Sequence, residues 1–491
     1  MSPERGRARR RVARDLAALR PGEQRGWWLR EALSDDPGAP ARPLDDEISA
    51  DVVIVGGGFT GLWAAWFLLE HAPEIRIAIL EADIVGGGAS GRNGGFLTGW
   101  WDALPALVRS FGVEGALAAA EAVGEAPKRI GSWTADHGVD AWFEPRGTLV
   151  VSSSPAQDEA VDDAVRMARE LGLADRFVRL SAADVRARCA SPMLRAGVLV
   201  PGDANIQPAR LARGLRRVLL ERGVAIHEGT RVADVREDGD GVRVTSGGGS
   251  VRARRAILAV NAWAAGLPGF GFGPRLITWS SYMVLTEPIP ERLRDLGWTG
   301  GEAITDLRFT NHYFRTTRDG RIAFGGGGGR AGYGGRLGDW VTHDRGSVEL
   351  AARGFRRLFP MLDDVALVDA WGGPIDIAPN HLPAFGTAGD GHRIHWGHGY
   401  SGTGVGPAWL GGRILAALAQ DRLDDPVARL PMVGHRSRRF PPEPFRFLGA
   451  RVIREAIVAK EQRDDLGRPV PPPLRWLVRL PRWMGYDLGP D

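Results

Sequence analysis

The chain has 491 residues, 44% apolar and 25% charged, with a formal net charge of +4. That length asks for more than one core, and the composition is that of a globular protein rather than a disordered or fibrous one. No apolar run reaches the ~18 residues of a spanning helix; the one cysteine, Cys189, excludes an internal disulfide and fits a cytoplasmic setting; and with Lys128 and Lys460 as the only lysines there is no Gly-Lys-Ser/Thr phosphate loop.

In chain order, residues 1–50 read as a basic arm and linker. The segment MSPERGRARRRVARDLAALR lacks the apolar core and cleavage site of a secretory signal. Its arginines could meet an acidic surface, but no nucleic-acid motif accompanies them, so a solvated arm and no nucleic-acid partner are expected. ADVVIV then reads as a strand, GLWAAWFLLEH as a helix apolar on nearly all sides, and RIAILEAD as a second strand ending in Glu81. Residues 51–81 are thus a β-α-β unit. Residues 102–195 alternate helix-like and strand-like pieces. The segment from Gly202 to Asp238 predicts a helix and two strands, and 241–260 a hairpin and an apolar strand. Residues 275–330 are strand-rich, with Arg318-Asp319-Gly320 as a turn. From 394 come a strand, a glycine-rich loop and a helix. The tail after 425 is rich in Pro, Arg and Trp around one amphipathic helix over 448–462; its prolines argue against a long surface helix, so membrane contact is not expected.

Gly56, Gly58 and Gly61 follow the first strand and open the helix, the setting in which G-x-G-x-x-G binds a dinucleotide. The first glycine permits the tight turn, the second the approach of a pyrophosphate, the third close helix–strand packing, and the anion sits at the helix N-terminus. Glu81, at the end of the second strand, is placed to accept hydrogen bonds from ribose hydroxyls. This unit alone does not separate NAD from FAD. Directly after it comes a second glycine-rich loop, VGGGASGRNGG (85–95), which the simple NAD unit lacks.

With that loop the chain resembles the FAD-dependent oxidoreductases of the D-amino-acid oxidase superfamily, and within it the gamma-glutamylputrescine oxidoreductase-like branch, whose members carry ASGRNGG here. EGTRVADV, around Val232, RRAILAVNAWA, and the paired stretches WGGPIDIAPNHLPAFG and HWGHGYSGTGVGPAWLGGRILA are similar to later motifs of the superfamily. The resemblance implies that Ser90, Arg92, Asn93, Gly94 and Gly95 line the flavin, that the backbone at Val232 meets the adenine, and that Gly399, Ser401, Gly402, Thr403 and Gly404 close over the flavin ring. That last loop leads into a helix whose N-terminus would favour an electron-rich group.

The fold expected is α/β: a Rossmann-like FAD-binding domain of glutathione-reductase/DAO type with an antiparallel-sheet α+β substrate domain. The FAD-binding parts are expected at 51–140, 196–265 and 370–425, the substrate domain at 141–195 and 266–369, and the tail at 426–491. The implied activity is oxidation of the C–N bond of a small amine or amino acid, with hydride passing to flavin N5 and the imine then hydrolysed. The expected partners are a small-molecule amine and oxygen or another electron acceptor. A flavin-binding protein without turnover and an NAD-linked dehydrogenase are the alternatives. Catalytic candidates lie on the strand resembling the one over the flavin, where Asn311, Tyr313 and Arg315 share one face and His312 and Phe314 the other. His312 is a candidate base and Tyr313 a candidate substrate contact. Arg308 or Arg315 could clamp a carboxylate, and Trp371 reads as packing. Cys189 lies far from the closing motif, so FAD is expected to be non-covalent. Ala323 stands where related sarcosine oxidases have a lysine that activates oxygen. His381, His392, His395 and His398 have no acidic or cysteine partners, so no metal is expected.

Overall fold

The computed structural model describes residues 25–101 and 103–486; residues 1–24 of the arm and linker expected over 1–50, including the whole arginine-rich segment, lie outside them. The strand Glu47–Val55 pairs in parallel with Ile77–Leu80 on one side and Ser250–Leu258 on the other. The sheet runs from Ala384–Ala388 through Ile394–His398, Ser250–Leu258, Glu47–Val55 and Ile77–Leu80 to Ala225–His227, and an antiparallel hairpin, Val232–Asp238 and Gly241–Ser246, hangs on Ser250–Leu258. Val52 to Val55 are buried, as a continuous apolar run in a strand covered on both faces requires. The helix Phe59–His71 covers one face and is itself covered by the helix Val405–Ala419. Their approach depends on Gly412, where a Cβ would come within 2.5 Å of the Trp63 Cβ.

The second sheet runs Leu367–Ile377, Ile277–Thr286, Ile322–Gly326, His312–Thr316, Ala303–Asp306, Thr148–Val151, Gly197–Val200, Val178–Leu180. Its pairings are antiparallel except Ala303–Asp306 with Thr148–Val151. One face packs on the helix Arg345–Leu358 through Leu149, Phe314, Phe324 and Phe355; the other faces the first sheet's loops. The fold is therefore the α/β arrangement expected, a Rossmann-like part and a largely antiparallel substrate sheet. Two strands depart from the expected divisions. Gly197–Val200, placed by sequence with the FAD-binding part, and the whole of Leu367–Ile377, which straddles the boundary at 370, belong to the second sheet.

Two further expectations are corrected. Residues 25–35 are not part of a loose lead-in, whereas 36–46, between that helix and the first strand, form neither helix nor strand and are mostly exposed. The helix Trp27–Asp35 buries Trp28 completely against Trp142 and Trp371, and the Gln207 side-chain amide donates to the Trp28 carbonyl at 2.7 Å. The tail holds two helices rather than one, Phe445–Asp464 and Pro472–Trp483. Prolines at the first turn of the second cost no hydrogen bond, and Pro481, near its end, removes one i→i−4 bond without ending the helix.

Candidate active site

The first glycine loop has the geometry its spacing implies. Gly56 has φ +108°, and a Cβ there would lie 2.4 Å from the Ala259 carbonyl oxygen. A Cβ on Gly61 would lie 2.1 Å from the Gly56 carbonyl oxygen, so only glycine lets the helix rest on the turn. Gly58 caps the helix with no side-chain cap. Glu81 sits beside this turn: its carboxylate accepts from the Gly57 N–H at 2.8 Å and the Asp83 N–H at 2.9 Å. Burial pushes its carboxyl above the usual range, while those two backbone donors pull the other way.

The second loop is tied back to the first. The Ser90 hydroxyl accepts the Phe59 N–H at 2.9 Å. Arg92 is buried; its Nε donates to the Gly87 carbonyl at 2.7 Å and Nη1 to the Gly372 carbonyl at 3.1 Å, which stitches the loop to the second sheet. Trp371 returns the tie, its indole N–H donating to the Arg92 carbonyl at 2.9 Å, so its role is packing as read. Asn93 folds the loop on itself, donating to the Ser90 carbonyl at 3.0 Å and accepting the Gly95 N–H at 2.8 Å.

The closing loop, 399–404, is held by Asp376. This fully buried carboxylate accepts the Gly399 N–H, and its backbone carbonyl accepts the Ser401 N–H at 3.1 Å. Burial pushes the Asp376 carboxyl up to about 7. Ser401 adopts φ +53° and accepts the Ala378 N–H on its hydroxyl at 3.0 Å. Gly404 then caps the helix Val405–Ala419, again without a side-chain cap. A hydrogen bond from the Thr60 hydroxyl to the Tyr400 oxygen, 2.9 Å, joins the two helix N-termini.

These pieces open on one cavity of about 1570 Å³. Its lining includes Gly56, Gly58, Glu81, Ser90, Arg92, Asn93, Gly94 and Val232 from the first two-thirds of the chain. Ser401, Gly402, Thr403 and Gly404 line it from the closing loop. Gly61, Gly95 and Gly399 do not; the first two permit a close backbone approach one step behind the wall, and Gly399 adopts φ +88°. A Cβ on Gly95, for instance, would lie 2.1 Å from the Ile206 carbonyl oxygen. The residues fit FAD: two helix N-termini capped by glycines, the first with its Phe59 N–H taken by Ser90 and the second with no side-chain cap, a carboxylate at the end of the second strand, and glycine walls that leave room for a flat ring.

The second sheet supplies the opposite wall. Thr305, Asn311, Tyr313, Ser281 and Trp279 line the cavity. The Tyr313 ring lies between two glycine backbones: Cβ atoms on Gly94 and Gly325 would fall 2.9 Å and 2.1 Å from its ring carbons. Its hydroxyl is hydrogen-bonded to Ser281 Oγ at 2.8 Å, and burial pushes it up to about 12, so it stays neutral.

His312 is corrected as a candidate base. It is the neighbour of Tyr313 on the strand, so its side chain points to the other face, where its ring packs on Phe324 and Nδ1 meets Asp306 at 2.8 Å. It does not line the cavity. The carboxylate clamp is corrected likewise. Arg308 is paired with Asp465 at 2.9 Å, and Arg315 donates to the Ile206 carbonyl at 2.6 Å, neither lining the cavity. Ala323 is buried in the cluster that holds Trp28 and Trp371. Cys189 is buried in the core behind the second sheet, its thiol pushed up to about 12 by burial. Among the described residues no group of His, Cys, Asp and Glu is arranged to hold a metal. Burial pushes His395 and His398 down to about 4.

Sequence reasoning missed Asp376, Asp203, a buried carboxylate on the cavity wall, and the whole contribution of the tail. For the tail a signal existed: Phe445, Leu448 and Val452 recur at helical spacing.

Against known proteins, residues 51–418 match the family described as DAO, FAD dependent oxidoreductase. The chain is 28% identical over 422 residues to gamma-glutamylputrescine oxidoreductase of Escherichia coli (strain K12), covering 85% of this chain and 95% of that one. Its fold is similar to the crystal structure of glycine oxidase from Bacillus cereus ATCC 14579, with a TM-score of 0.64 at 20% identity over 80% of this chain and all of that one. It is also similar to L-proline dehydrogenase from P. horikoshii, with a TM-score of 0.63 at 18% identity over 79% of this chain and 96% of that one.

Proposed function

Because the chain belongs to the family of FAD-dependent oxidoreductases, we propose that it oxidises the C–N bond of a small amine or amino acid. The observation that carries this reading is the shared cavity, with dinucleotide-binding loops on one wall and the polar floor of Tyr313, Ser281 and Asn311 on the other. FAD supplies the hydride acceptor, and the resulting imine is hydrolysed by water. Gly58, Glu81, Ser90, Arg92, Asn93, Gly94 and Val232 would hold it from one side and the loop 401–404 from the other. The uncapped N-terminus of Val405–Ala419 turns backbone N–H groups and positive dipole to the cavity, where they would favour the negative charge a flavin gains on reduction.

Tyr313 is the residue we assign to substrate contact. Neutral and anchored to Ser281, it orients the amine rather than removing a proton. With His312 turned away, the chain offers orientation and water exclusion in place of a strong base. FAD would be held without a cysteine tether, since Cys189, the single cysteine, is buried in the core behind the second sheet and does not line the cavity. Oxygen or another acceptor takes the electrons onward. Among the described residues no helix is long and apolar enough to cross a membrane; the cytoplasmic setting rests on the single cysteine.

The test is the visible spectrum of the purified protein, followed without oxygen as amines and amino acids are added. A flavin spectrum that bleaches with one class establishes the reaction. A flavin spectrum that none of them bleaches favours a flavin-binding protein without turnover.

A further inference from the structure

Once the cofactor loops and the polar floor are accounted for, the remaining wall of the cavity comes from residues 263–268 and 335–342 and, outside residues 51–418, from the C-terminal helix pair. On Phe445–Asp464, the side chains Phe445, Leu448 and Val452 stand at i, i+3 and i+7, one helix face, and all three line the cavity with Ile453 and Ile457. A stripe of this kind is ordinarily buried against protein. Here Phe445, Leu448 and Val452 are 68%, 50% and 53% exposed. Leu477 and Leu480 of the second helix, and Met484 just after it, extend the same apolar wall.

The wall is fixed in place. At its far end Asp465 pairs with Arg308 at 2.9 Å and with Arg357 at 2.8 Å, and Glu461 accepts the Thr310 N–H at 3.1 Å. Thr310 adjoins Phe309 and Asn311, which line the cavity beside the Tyr313 floor. The helix therefore meets the substrate end of the cavity at Ile457, and the Phe445–Val452 stripe runs on from there, about 8–18 Å further along the helix. The two arginines this wall contributes are committed elsewhere. Arg446 pairs with Glu443 at 2.8 Å, and Arg454 donates to the Gly328 carbonyl at 3.2 Å. The facing loop adds Arg336 and Asp339, exposed and opposite in charge. Nothing on the helix is set to grip a second ammonium or a distant carboxylate.

We propose that the substrate is an amine carrying a sizeable hydrocarbon or aromatic group. The apolar group lies along the Phe445–Val452 stripe while the amine-bearing carbon reaches the Tyr313 floor. This rests on the C–N oxidation reading and adds the substrate class to it. A polyamine or a glycine-sized substrate would leave the stripe uncovered.

The test uses the full chain loaded with FAD. Primary n-alkylamines and N-methyl-n-alkylamines of increasing length are compared by anaerobic flavin reduction, alongside putrescine and spermidine. Tertiary carbinamines, which have no α-hydrogen and cannot be oxidised, give affinities from the shift they cause in the flavin spectrum. Affinity and kcat/KM are expected to rise about 4-fold per added methylene, and Leu448→Ser with Val452→Ser to cut that slope by half or more. The length series on the unaltered protein decides the matter even if the double variant fails to fold. Bleaching that is indifferent to chain length, or that is faster with putrescine than with the long alkylamines, overturns the apolar class and leaves C–N oxidation standing. No bleaching and no spectral shift with any amine overturns both.

Discussion

Replacing Gly94 by alanine tests the contact on which the two halves of the site depend. The new Cβ would lie 2.9 Å from Tyr313 Cδ2 and 3.1 Å from Phe96 Cδ2, whereas ordinary contact begins near 3.4 Å. The Tyr313 ring cannot retreat, because it already fills the space a Cβ on Gly325 would take, 2.1 Å from that position and against the Gly325 backbone, and its hydroxyl is held by Ser281. The strain must then be taken by the 88–95 loop, which shifts towards the space FAD occupies. Overpacking of this kind costs about 1–3 kcal/mol, which as lost affinity is about 5- to 150-fold in the FAD dissociation constant. Titration of the cofactor-free protein with FAD, with urea unfolding in parallel, divides that cost between binding and stability. In a Tyr313→Ala background the same substitution should cost at least about 1 kcal/mol less, a coupling read by the double-mutant cycle. Unchanged affinity and stability in Gly94→Ala, or an equal cost with the ring removed, would refute the placement of Tyr313 against the FAD loop.

Tyr313→Phe keeps the ring and removes only the hydroxyl, and Ser281 Oγ retains the Gly326 carbonyl at 3.3 Å. FAD content should hold, stability should fall by about 1 kcal/mol, and kcat/KM should drop about tenfold; an unchanged kcat/KM removes the hydroxyl from substrate contact. Asp376 has a folded-state carboxyl raised to about 7 by burial, so the folded protein holds a proton that the unfolded chain has released. Its contribution is complete below the ordinary carboxylate range and is lost as pH rises through about 7, by up to about 4 kcal/mol. Unfolding of cofactor-free Asp376→Asn at several pH values should lack that decline relative to the unaltered protein, and parallel profiles would contradict it. Asp465→Ala removes the carboxylate that Arg308 and Arg357 share while leaving them Glu461 at 3.6 Å and Asp306 at 3.7 Å, which should cost about 1–3 kcal/mol and free the end of Phe445–Asp464 to proteolysis; a protein as stable and as resistant as the original would show that the helix is not pinned there.

The β-α-β unit, the roles of Gly56 and Gly61 and the position of Glu81 were legible in the sequence. Each follows from local rules: a buried parallel strand reads as an apolar run, and a turn that must admit another backbone atom reads as glycine. The alternation along 311–315 was legible too, since side chains on a strand change face at every residue. What it left open was which face met the cavity. That depends on the packing of Phe314 and Phe324 against the helix Arg345–Leu358, far away in the chain, and it turned His312 inward and Tyr313 towards the FAD loops. The arginines of the site were unreadable for a similar reason: Arg308 and Arg315 find their partners at Asp465 and Ile206, and no local pattern records such a pairing. The tail shows the division most clearly. Its apolar spacing predicts one amphipathic helix, but an amphipathic helix states only that one face seeks cover. The tertiary structure alone sets that face over the cavity, because the ion pairs that hold it there join residues more than a hundred positions apart.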